Sequence, residues 1–228
     1  MTAASSPAVR RRGLEQWAGL GGVAYVVLFV VGILVAEAGT PNSGSAPAKI
    51  ERYYSDSGHR DRIFVGWILV VLGLFFLLWF LASLRQTLRR LDGGGLLTAV
   101  SLVGGVVYAA LALAAIAVST ALKTMSDDTY RHTVYPGLIH AAEDTAYVLH
   151  STAGIGAGAM MIAASVVALR ARVLPAWLAW AGVVAGILAL ASILFFPQIL
   201  IALWLIVAGV LLFLAGPSPT REAERAAV

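Results

Sequence analysis

Along this chain, long apolar runs alternate with short polar stretches that hold nearly all the charge. The first run, 17–37, carries no charge before Glu37 at its end. About 20 residues of helix cover about 30 Å, the thickness of one hydrocarbon core. Five further runs of this kind follow at 63–84, 96–122, 137–169, 173–196 and 198–215. The pattern predicts an all-α polytopic membrane bundle of about six transmembrane helices. Polar tails at 1–16 and 217–228 flank it, the second beginning in Pro217-Ser218-Pro219.

The breaks between runs have recognisable chemistry. Gly93-Gly94-Gly95 separates the second span from the third, Pro136 opens the fourth, and Pro197-Gln198 is expected to make a tight turn before the sixth. Between the first two spans, Ser45 and Pro47 supply an expected N-cap and an early-turn proline for a short helix. That helix would carry Ile50, Tyr53 and Tyr54 on one side and Lys49, Glu51, Arg52 and Asp56 on the other. It is expected either to lie on the outer membrane surface or to serve as a solvated linker. Ala36-Glu37-Ala38 has the form of a signal-peptide cleavage site, but the apolar run before it exceeds a normal signal core, so a retained span is expected.

Composition narrows the class. Of 228 residues, 60% are hydrophobic and 12% charged, against about a quarter charged in soluble domains. The absence of cysteine removes disulfides, thiolate nucleophiles and cysteine metal ligands together. The net charge of +4 does not point to nucleic acid, because the arginines sit in small groups beside the apolar runs, where they act as topology signals. With the N-terminus inside, Arg10, Arg11, Arg12, Arg85, Arg89, Arg90, Arg170, Arg172, Arg221 and Arg225 fall in the cytoplasm; Lys49, Arg52, Arg60, Arg62, Lys123 and Arg131 fall outside. That bias predicts both termini in the cytoplasm, in a bacterial plasma membrane. Trp17, Trp67, Trp79 and Trp177 lie near span ends, as interfacial anchors do.

Candidate chemistry gathers at the start of the fourth span. At helical spacing His140, Glu143, Tyr147, His150 and Ser151 share one face, with Asp144 at its edge. Ionisable side chains in a membrane protein face the bundle interior or a water-filled cavity, since exposing a charge to lipid costs at least about 2.5 to 3.5 kcal/mol. An outward-facing pocket is one reading of this stripe. The other is a solvated helix end, because about 20 residues counted back from Arg170 exhaust the hydrocarbon core near His150 and leave Glu143 and Asp144 about 10 Å further out. No metal is expected: His140 and His150 are about 15 Å apart along a helix, and a site would need His59 or His132 as well. No cofactor is expected either, since no lysine falls inside a predicted span to carry a Schiff base and no glycine loop precedes a Lys-Ser or Lys-Thr pair. Gly154 and Gly158 form a GxxxG expected to bring a neighbouring helix close. Tyr108, Ser119 and Ser192 are expected to bond local backbone carbonyls.

The segments Leu78-Trp79-Phe80-Leu81-Ala82-Ser83-Leu84-Arg85 and Val173-Leu174-Pro175-Ala176-Trp177-Leu178-Ala179-Trp180, with the helix holding Ala142-Glu143-Asp144, resemble a family of uncharacterised six-helix membrane proteins of actinobacteria. The resemblance implies six helices and no particular activity. From the residues, the leading expectation is a non-enzymatic protein whose outward pocket of His140, Glu143, Asp144, Tyr147, His150 and Ser151 takes a small ligand, a proton or a partner. The alternative is an intramembrane enzyme of the cyclase or hydrolase type acting on a lipid or isoprenoid, with Glu143 or Asp144 as general acid and a histidine partner. Besides the bilayer, a small-molecule or lipid ligand, a second copy or another membrane protein are the expected partners.

Overall fold

The computed structural model of the chain describes residues 14–42, 44–124, 133–194 and 196–214. It comprises helices α1 (Leu14–Gly19), α2 (Gly21–Glu37), α3 (Pro47–Ser55), α4 (Ser57–Asp92), α5 (Leu96–Thr124), α6 (Pro136–Arg170), α7 (Ala176–Ala189) and α8 (Phe196–Leu214), with a short 3-10 turn at Ser192–Leu194. Among the described residues, five helices are long and apolar enough to cross a membrane: Gln16–Glu37, Ser57–Asp92, Leu96–Thr124, Pro136–Arg170 and Phe196–Leu214. The chain is thus a helical membrane bundle. Its lipid-facing surface is apolar in the same way as its core, with Val27, Phe75, Leu78, Val103 and Leu203 exposed.

Because lipid is as apolar as leucine, close packing rather than hydrophobic exclusion holds such helices together. Glycine supplies the closeness. Gly104 on α5 and Gly156 on α6 lie backbone to backbone, so that a Cβ on either would stand 2.6 Å from the other's carbonyl oxygen. Tyr25 on α2 and Tyr108 on α5 satisfy each other through a buried hydroxyl pair at 2.8 Å. Tyr108 thus bonds across the bundle and not to a local carbonyl. The GxxxG residues are consumed within the chain: Gly154 lies against Ser192 and Ala189, and Gly158 against Gly186. Trp17 and Phe213 meet edge-on at 5.2 Å, which brings the two described ends of the chain to one face together with the arginines that close α4 and α6.

Three boundaries differ from the sequence expectation. The fifth run forms only α7, 14 residues or about 21 Å of helix, instead of a span over 173–196. It stops at Ala189 because Ser192 folds back onto Gly154, its hydroxyl bonding the Ala189 carbonyl, and Pro197 and Gln198 then lie inside the first turn of α8 instead of forming the turn. The second run extends back to Ser57, where the Asp56 carboxylate accepts the His59 backbone N–H at 3.0 Å as an N-cap. The third continues through Thr124, which places Lys123 inside the helix. Residues 1–13 and 217–228 of the tails, and Arg131 and His132 with them, lie outside the described residues; 14–16 belong to α1.

The short helix α3 forms as expected with Pro47 in its first turn, but Ser45 makes no cap bond there. Its apolar side does not rest on lipid. Ile50, Tyr53 and Tyr54 pack against Ile63 of α4 and Ile139 of α6, which lays α3 across one end of the bundle.

Candidate functional site

Beneath α3, three helix ends converge on one ammonium. Lys123 Nζ lies 2.9 Å from Glu37 Oε1 on α2 and 2.8 Å from Glu143 Oε1 on α6. Its side chain is 3% exposed, whereas the two carboxylates are 42% and 44% exposed, so the cation is inside and the anions look out. Ser119, one turn before Lys123 on α5, donates to the same Glu143 oxygen at 2.9 Å. Thr40 donates to Glu37 Oε2 at 3.0 Å, which leaves Glu143 Oε2 as the carboxylate oxygen of the pair without a bond among the described residues.

The α3–α4 corner roofs this centre. Tyr54 is buried and faces the charges of Lys123, Glu143 and Glu37; burial pushes its phenol up to about 12, so it stays protonated. Tyr53 stacks on His59 at 4.0 Å, and His59 Nδ1 bonds the Tyr53 carbonyl at 3.0 Å. Arg62 donates to the Tyr53 hydroxyl at 2.7 Å and to the Ala38 carbonyl. Arg60 donates to the carbonyls of Tyr54 and Ser55, which have no acceptor role left inside α3. Arg62 therefore clamps the loop after α2 to α3, while Arg60 caps the end of α3.

The sequence-predicted stripe is distributed over three environments. Glu143 joins the Lys123 centre. Asp144 is exposed, and no described histidine bonds either carboxylate; His140 and Ser151 are half-buried. Tyr147 and His150 lie on the side of the truncated hairpin: the Tyr147 hydroxyl donates to the Ile193 carbonyl, and His150 stacks on Phe29 at 5.6 Å. The Tyr147 hydroxyl thus satisfies a carbonyl that the end of α7 leaves open. Tyr147→Phe is expected to lower the stability of the purified protein by about 0.6 kcal/mol, the usual worth of one polar contact in a membrane bundle, read by titration with denaturing detergent. An unchanged midpoint would show the contact to be dispensable.

Glu37 and Lys123 were not among the expected site residues. Their sequence signal is slight: a lysine four residues after a serine at the end of an apolar run, and one acid closing another run. A cavity of about 670 Å³ between α4, α6, α7 and α8 is lined by apolar residues such as Leu88, Leu178 and Val207 and includes none of the stripe. Fold and site together define a helical membrane bundle with a charged centre at one end. Comparisons with protein-family models, with curated proteins and with solved structures found no match to the chain.

Proposed function

We propose that this chain is a non-enzymatic, six-helix plasma-membrane protein of an actinobacterium, α7 counting as a sixth crossing and both termini in the cytoplasm. The arginines beside the described chain ends support this orientation. In it the Lys123 centre faces outward beneath α3, and its task is to bind a proton or a small cationic ligand.

The observation that carries the reading is one buried ammonium shared by two half-open carboxylates. Either carboxylate alone is enough to pair Lys123. The centre therefore has one negative charge to spare and accepts a cation without stranding its own. Glu143 Oε2 is the atom on which the proton or ligand lands.

Infrared titration of the protein in nanodiscs tests this. Wild type is expected to show, above the signal of its other carboxyls, a carboxyl component that grows as pH falls, absent from Glu143→Gln and kept in Asp144→Asn. A pH-dependent carboxyl signal unchanged in Glu143→Gln would remove Glu143 from the role and the proposal with it.

A further inference from the structure

At the opposite end of the bundle, we infer that the cleft between α4 and α5 is a binding site for the phosphate of an anionic phospholipid, held by Arg85 and Arg89 with an acyl chain along Leu102 and Val103. This cleft has a volume of about 380 Å³ and is lined by Arg85, Arg89, Thr98, Leu102 and Val103 with the Gly93-Gly94 turn.

The turn shapes it. Gly93 and Gly94 have φ of 63° and 81°, a left-handed conformation natural to glycine, and they reverse the chain tightly enough that Arg89 Nε lies 3.7 Å from where a Gly94 Cβ would stand. Arg85 and Arg89 are exposed, and neither makes an ion pair among the described residues. The nearby acid, Asp92, does not line the cleft; its Oδ2 accepts from the Thr98 hydroxyl at 3.5 Å, on the α5 wall. Two guanidinium groups against one carboxylate leave a net positive cleft.

Its axis is that of a lipid. Arg85 and Arg89 are one turn apart at the end of the apolar part of α4, where the headgroup zone begins. Leu102 and Val103 lie about 6 Å deeper than Thr98, and Val103 is 60% exposed to the bilayer. A phosphate at the arginines therefore has hydrocarbon directly beneath it, which a free anion does not use. Basic pockets between transmembrane helices bind lipid headgroups in this manner, with about 1 kcal/mol for each basic residue near the surface.

The test is native mass spectrometry of the purified full chain, titrated with phosphatidylglycerol or phosphatidylcholine of the same acyl chains. Wild type should hold one phosphatidylglycerol in preference to phosphatidylcholine, and Arg85→Gln/Arg89→Gln should weaken it by about thirtyfold. Arg170→Gln/Arg172→Gln, an equal change in charge on the same face, should leave it bound. Val103→Trp, which fills the floor at constant charge, should also expel it. Equal loss in both double variants would mean general surface attraction and overturn the site. So would displacement by millimolar inorganic phosphate, retention in Val103→Trp, or the absence of any headgroup preference.

Discussion

Replacing Glu37 and Glu143 together by glutamine is expected to destabilise the protein by about 3–5 kcal/mol, the cost of leaving a buried charge without its partner. The ammonium is the buried member and the carboxylates are half-exposed. Either single substitution leaves one carboxylate in place and removes a contact that water partly screens, so each alone should cost about 1 kcal/mol or less. The two effects are thus far from additive, and a double-mutant cycle in detergent unfolding reads the difference directly. Adding Lys123→Met to the double variant should restore most of the loss, since an apolar side chain of similar volume suits the same space. Additive single effects, or no recovery in that triple variant, would show that the ammonium escapes to solvent once its partners are gone.

Gly156→Leu is the second large effect. Its side chain would meet the Gly104 carbonyl at 2.6 Å and the Tyr108 backbone nitrogen at 2.7 Å, and neither can rotate away. The α5–α6 pair must separate, at a cost of about 3 kcal/mol or more, the upper end of overpacking penalties because backbone is struck. The site should fail with it, since Ser119 and Lys123 reach Glu143 only in this helix register. Melting followed by size-exclusion profile checks the first consequence, and the Glu143 carboxyl band the second. Gly137→Leu, on the same helix with open space around it, is the matched control and should melt like wild type.

Five apolar helices long enough to cross a membrane were legible because membrane thickness sets a length that the apolar runs either reach or miss. The buried side of α3 was legible too, because Ile50, Tyr53 and Tyr54 repeat at helical spacing. The end of α7 was not: nothing in Leu190-Ala191-Ser192 breaks a helix locally, and the break is imposed by contact with Gly154, a residue of another helix. The charged centre was half visible. Glu143 stood out as an acid within an apolar helix, but its partner Lys123 looked like the first residue of a loop, and Glu37 is 86 residues from Lys123 in sequence. Periodicity tells which face of a helix is polar; it does not tell which helices will be neighbours.

The shortness of α7 also shapes the surrounding lipid. A helix of 14 residues offers about 21 Å of apolar length where the bilayer presents about 30 Å. On the other flanks, α4 and α5 are long enough to meet the full thickness. A crossing by α7, as proposed above, would make the leaflet beside it dip toward the protein while the leaflet beside α4 and α5 stays level, at a fraction of a kcal/mol for each ångström of mismatch. On that reading the molecule makes a one-sided dent in its membrane, and two such dents would lower their combined cost by facing each other.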